Sequence, residues 1–102
     1  MLIVSNTSPL SNLAVIGEIN LLQQIYPKIL IPPIVHTELM SFPEIQPAIA
    51  TLINLGWLEI KAPNNLQFIQ AFTQTLDPGE AAAISLARKC RSLYNISIKY
   101  IS

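Results

Sequence analysis

Asp77-Pro78-Gly79-Glu80 runs straight into Ala81-Ala82-Ala83-Ile84-Ser85-Leu86-Ala87, setting an ionisable glutamate in the first turn of an apolar helix. Asp77 followed three positions later by Glu80 resembles a capping box with an acid in place of the usual Ser or Thr. By spacing alone, hydrogen bonding at the helix end explains both residues. They acquire a second meaning only beside two other segments. Leu2-Ile3-Val4 reads as a short buried strand that releases Ser5-Asn6-Thr7-Ser8 just where a helix begins, with Ser8 as N-cap and Pro9 as first helical residue. Ile31-Pro32-Pro33-Ile34-Val35-His36-Thr37-Glu38-Leu39 places another glutamate on another helix, with Ile34, Val35 and Leu39 on its inner side.

The remaining segments follow the same rhythm. Gly17 ends the first helix, and Glu18 to Tyr26 carries Ile19, Leu22 and Ile25 at helical spacing until Pro27 stops it. Lys28 to Ile31 and Trp57 to Ile60 are brief strands, separated by a helical stripe through Ile45, Ile49, Leu52, Ile53 and Leu55 that ends at Gly56. A helix capped by Asn64 or Asn65 carries Leu66, Phe68, Ile69 and Phe72, and Asn95 to Tyr100 alternates as a last strand with Ile96, Ile98 and Tyr100 on one side. Short apolar strands between helices predict an α/β class: a three-layer α/β/α sandwich on a mainly parallel sheet. In such sheets the chemistry collects at the carboxyl ends of the strands. Asn6 lies at such an end, and Glu38 and Glu80 can face the same edge.

Bulk composition narrows the function. A chain of 102 residues predicts one domain, residues 1–102. Charged residues are only 12% of it, about half the usual share, and 51% are hydrophobic, which predicts self-association as a dimer or larger. Zero net charge excludes a strongly basic nucleic-acid surface, so any such binding must be local. Arg88, Lys89, Arg91 and Lys99 do cluster after the last acid, Glu80, where a solvated helix end accounts for them as well as phosphate binding does. The single Cys90 fits a reducing compartment, and the lack of a signal peptide or an apolar stretch of about twenty residues predicts a cytoplasmic protein with no membrane partner. Ser5 and Ser8 have no base at a recognisable spacing, which argues against nucleophilic catalysis, and His36 lacks a metal-ligand partner nearby. Among three glycines there is no phosphate-cradling loop. Carboxylates converging on one edge remain, and they suit a hard divalent cation with oxygen ligands.

Taken in order, the three segments from Ile3 to Leu10, Ile31 to Leu39 and Leu76 to Ile84 resemble the PIN-domain proteins, in particular the VapC-like toxins, over about residues 2–90. The resemblance implies a Mg²⁺- or Mn²⁺-dependent ribonuclease, RNA as substrate, dimerisation and a small antitoxin protein as partner. It implies a site with an acid ending the first strand, a glutamate on the helix after the second, an acid opening a later helix and one more ending the fourth strand. Those positions become Asn6, Glu38 and Glu80, as metal ligands and catalytic residues, with Thr7 or Ser8 orienting water or phosphate. Two departures follow. Asn6 stands where the pattern has aspartate, and the last acid, expected without gaps near Ile98 or Lys99, is missing from a tail that holds none. The stretch Lys89 to Asn95 also departs from the family pattern, as a truncated or frame-shifted product lacking the usual C-terminal elements would. The competing expectation is a catalytically inactive module that keeps only its dimer or antitoxin surface, offering Leu21, Leu22 and Ile25 or the helix of Phe68 and Phe72 for contact.

Overall fold

The computed structural model describes residues 1–63, 76–94 and 97–102. Four strands, β1 (Leu2–Ser5), β2 (Ile29–Ile31), β3 (Leu58–Ile60) and β4 (Ile98–Ile101), form one sheet in the order β3-β2-β1-β4. Every pairing is parallel, so every connection is a crossover. Helices α1 (Thr7–Val15) and α2 (Asn20–Ile25) join β1 to β2. Helix α3 (Pro33–Met40), a 3₁₀ turn (Pro43–Ile45) and α4 (Gln46–Asn54) join β2 to β3, and α5 (Pro78–Tyr94) precedes β4.

The layers follow from strand periodicity, because successive side chains leave a strand on opposite faces. Ile3, Ile29, Ile31 and Leu58 enter the larger core with Leu10 of α1, Leu22 of α2, Val35 and Leu39 of α3, and Ile49 and Leu52 of α4. Val4 and Leu30 turn the other way and meet Ala83, Leu86 and Cys90 of α5. This is the expected α/β/α sandwich: among the described residues, α1 to α4 lie on one face of the sheet and α5 on the other. Trp57 closes the larger core, its indole N–H donating to the Tyr26 carbonyl at 2.8 Å. Burial pushes the Cys90 thiol above its ordinary range, which keeps it protonated and unreactive. Gly56, at φ 79°, takes the left-handed turn that ends α4 and lets the chain drop into β3.

Several boundaries differ from the sequence reading. Helix α1 begins at Thr7, so Asn6 and not Ser8 occupies the capping position, and its side chain makes no capping bond. Pro9 is tolerated at the third helical position because the first-turn N–H groups have no intrahelical acceptor in any case. Ile34, expected inside, is exposed, because the turn made by Val35 and Leu39 already fills the sheet-facing side of α3. Leu55 lies beyond the inner stripe of α4 and is exposed, while Leu22 is core and unavailable as contact surface. The helix expected around Leu66, Phe68, Ile69 and Phe72 lies outside the described residues, as do Asn95 and Ile96.

Leu39 is fully buried, whereas Leu93 near the end of α5 is 63% exposed. Chemical denaturation is expected to show Leu39→Ala losing about 2–5 kcal/mol, through lost burial and a residual cavity. Leu93→Ala should stay within about 0.5 kcal/mol of the parent. Equal losses would contradict this assignment of the core.

Candidate functional site

At the carboxyl edge of the sheet, β1 ends in Ser5 and the chain turns into α1 through Asn6. The backbone N–H of Asn6 donates to the Ile101 carbonyl at 2.9 Å, which continues the β1–β4 ladder one residue past the strand, and the Ser5 hydroxyl donates to the Asn6 carbonyl at 2.7 Å. The Asn6 main chain is thereby held. Its side chain is buried, and its Oδ1 has no hydrogen-bond partner. A buried acceptor left unpaired costs about 1–3 kcal/mol, so this oxygen has unused capacity at the rim.

Glu38 reaches the same rim from the last turns of α3. The Thr7 hydroxyl donates to its Oε2 at 2.9 Å. On its other side lies Gly79: a Cβ built there would overlap Glu38 Oε1 and sit 3.0 Å from Cδ and 3.2 Å from Oε2. Glycine at this position therefore leaves the space that the carboxylate fills. Since Thr7 follows Asn6 and Gly79 precedes Glu80, the Glu38 carboxylate lies between the other two stations. The three segments that are distant in sequence meet at one edge.

Asp77 has a different task. Its Oδ1 accepts the backbone N–H of Glu80 at 2.9 Å, and its carbonyl accepts that of Ala81 at 2.9 Å. The capping reading of Asp77 holds, and the cap fixes where α5 begins and hence where Glu80 stands. The half-buried Glu80 is sensed from β4 by Tyr100. Burial first, then the negative charges of Glu80 and Asp77, push the Tyr100 phenol up to about 12. Its buried hydroxyl has no hydrogen-bond partner. Tyr100, paired with Val4 inside the sheet, is a residue that sequence reading took only for a strand position, and its i, i+2 alternation with Ile98 was the available signal for the face it uses.

The register of β4 relocates the expected fourth acid. Leu2 pairs with Ile98, Ile3 with Lys99 and Ser5 with Ile101. Ile98 and Lys99 thus lie toward the opposite end of the strand, and the chain reaches the rim beside Asn6 only at Ile101 and Ser102. Counting without gaps errs because α5 runs on to Tyr94 before the chain turns back. Lys99, which would oppose a cation at the site, is directed away: its Nζ lies 5.4 Å from the centroid of the Tyr26 ring. Among the described residues no group of three His, Cys, Asp or Glu side chains converges. Two carboxylates and an unpaired amide oxygen are nonetheless an all-oxygen donor set, the kind Mg²⁺ and Mn²⁺ accept with water completing the shell. His36 is half-buried on α3 and Ser8 is exposed on α1, and neither makes a contact with these groups.

A family model described as a PIN domain matches residues 2–94. No curated protein and no solved structure is significantly similar to the chain.

Because the carboxylate is the mobile end of its side chain, Gly79→Ala should move Glu38 off Thr7 while leaving the melting temperature almost unchanged. A shift of the Glu38 carboxyl carbon resonance in NMR would report this, and an unmoved resonance would contradict the packing described. Tyr100 gives an independent check. Its proton is held more tightly in the folded state, so its contribution to stability is full below the ordinary value of 10 and is lost as pH rises through about 12. Phenolate absorbance, taken as the difference from Tyr100→Phe, should show a midpoint near pH 12 that falls in Glu80→Gln; a midpoint indifferent to that substitution would place the carboxylate elsewhere.

Proposed function

The chain belongs to the PIN-domain family, and from that premise we propose a reduced metal-dependent ribonuclease site of the VapC-like type, binding one Mg²⁺ or Mn²⁺ weakly and cutting single-stranded RNA slowly. The observation that carries this reading is the Glu38 carboxylate held between Thr7 and Gly79, beside the unpaired Oδ1 of Asn6. Glu38 and Glu80 would hold the cation with two charges, and Asn6 would add a neutral oxygen. Mg²⁺ commonly binds through one or two carboxylates plus water and substrate phosphate, so this set suffices for a single ion. When bound, the cation polarises the phosphodiester and lowers the pKa of a bound water.

The chain's own residues supply orientation. Thr7 fixes one carboxylate oxygen of Glu38 and leaves the other toward Gly79. Asp77 fixes the first turn of α5, where the helix dipole favours the negative charge of Glu80. Tyr100 on β4 stays protonated at physiological pH, its phenol pushed up to about 12 by burial and by the negative charges of Glu80 and Asp77, and its hydroxyl is buried. With no group of three acids converging among the described residues, a two-metal arrangement has too little negative charge.

A second reading has its own observation. Leu21 and Ile25 are exposed on α2, on a surface poor in charge, which favours a module that keeps a homodimer or antitoxin interface while its acidic site has decayed.

One comparison separates the two. With Mn²⁺, the purified protein should cleave single-stranded RNA, and Glu38→Gln and Glu80→Gln should abolish cleavage. Thr7→Val, which removes only the supporting hydrogen bond, should cost about 10–100-fold in activity. Cleavage unchanged by both glutamate substitutions would rule out the enzyme reading. No cleavage and no Mn²⁺ uptake, together with a dimer in light scattering, is the outcome expected of the second reading.

A further inference from the structure

Helix α5 and the edge strand β4 enclose a groove of about 220 Å³ lined by Ile84, Ala87, Arg88 and Arg91 from the helix and Ile98 and Tyr100 from the strand. Its helical members fall on one stripe, since Ile84, Ala87, Arg88 and Arg91 follow Glu80 by intervals that return to the same face. At a rise of 1.5 Å per residue, Arg88 lies about 12 Å and Arg91 about 16 Å along the helix from Glu80. Tyr100 lines the groove from the strand, and Glu80 stands one turn before Ile84 on the same helical stripe. The groove therefore leaves the carboxylate edge and ends between two guanidinium groups.

Among the described residues no carboxylate lines it, whereas two arginines do, in a protein of zero formal net charge. The neighbouring lysines lie outside the groove: Lys89 donates to the Ala62 carbonyl at 2.8 Å, and Lys99 lies over Tyr26. A larger cleft of about 430 Å³ on the same side of the sheet is lined by Lys28, Lys61, Glu59 and Tyr94. That cleft contains a carboxylate, Glu59, which pairs with Lys28 at 3.2 Å, and Lys61 there bonds Tyr94 at 2.9 Å. Guanidinium groups are suited to phosphate, which they bind bidentately, and single-stranded nucleic acid is commonly held by cations along the backbone and an aromatic face for a base.

We infer that the α5–β4 groove is the backbone track for single-stranded nucleic acid, with Arg91 and Arg88 taking phosphates a few nucleotides from the one presented at the carboxylate edge, and Tyr100 and Ile98 forming the floor between. This rests on the ribonuclease reading for its direction but is tested without cleavage. The probe is a short labelled single-stranded RNA, titrated by fluorescence anisotropy in EDTA over a range of salt, with the Glu38→Gln/Glu80→Gln protein as the non-cleaving parent.

Each phosphate contact contributes a slope of about 0.7 in log affinity against log salt for a single strand. Arg91→Gln and Arg88→Gln should each lower the slope by about that much and weaken binding about fivefold near 0.1 M salt. Lys28→Gln, with the same change of charge outside the groove, should leave the slope as it is. Arg88 also has an interaction within the chain, so Arg91→Gln keeps the test decisive if Arg88→Gln fails to fold. Arg91→Lys should keep the slope and lose part of the affinity. Arg-dependent binding by a protein that never cleaves would uphold the track and refute the ribonuclease reading. Binding and slope unchanged in Arg91→Gln would overturn the track even if the protein cleaves RNA. Failure of the parent to bind at low salt, or equal displacement of the RNA by an acidic peptide at matched charge, would also overturn it.

Discussion

The Glu38 carboxylate, set between the Thr7 hydroxyl and the bare Cα of Gly79, is the contact on which the candidate site depends. Thr7 starts α1, Glu38 belongs to the last turns of α3 and Gly79 lies in the first turn of α5, so one side chain joins three crossovers at the edge of the sheet. It can do so because all the strands run parallel, which brings every strand end and the start of each following helix to the same side. A larger residue at position 79 would remove the space, and a longer β1 would carry Asn6 and Thr7 past the carboxylate. The capped start of α5 completes the arrangement by fixing Glu80 one residue after Gly79.

Charge decides what such an edge can do. An aspartate at position 6 would be a third negative group in a buried setting, where like charges oppose one another and each pays for lost solvation. Asparagine keeps an oxygen donor there without that repulsion. Its Oδ1 is buried and has no hydrogen-bond partner. The same edge retains two carboxylates and a neutral phenol. On the proposed reading, that charge serves one small cation and falls short of a pair.

The basic residues show the opposite separation. Composition places four of the six cations after the last acid, yet the fold sends them in three directions: Lys99 over an aromatic ring on the α2 side, Lys89 back to a carbonyl near the end of β3, and the two arginines into the groove beside β4. A neutral protein can thus carry a locally positive track that begins near a locally negative edge. The field at each place is set by neighbours within about a Debye length, and the net charge says little about it.

Strand and helix identities were legible because periodicity is a local property. Ile3 and Val4, or Ile29, Leu30 and Ile31, show two-sided burial in four residues or fewer, and the Asp77 cap is complete within four residues. The three stations Asn6, Glu38 and Glu80 were also legible, through segments that resemble a known family. What the chain alone left open was everything that depends on register and on the far partner. The start of α1 moved from Pro9 to Thr7, and its cap from Ser8 to Asn6, because hydrogen bonding to β4 holds Asn6, and no local preference encodes that bond. Lys99 left the site because strand pairing, unlike counting along the chain, sets where β4 meets β1. The need for glycine at position 79 and the role of Tyr100 arise from side chains 41 and 20 positions away, Glu38 and Glu80. Sequence by itself determined which elements form and which polar residues stand at their ends, since these follow from neighbours along the chain. Tertiary structure alone decided which of those ends touch, because contact between distant segments is set by packing and strand register.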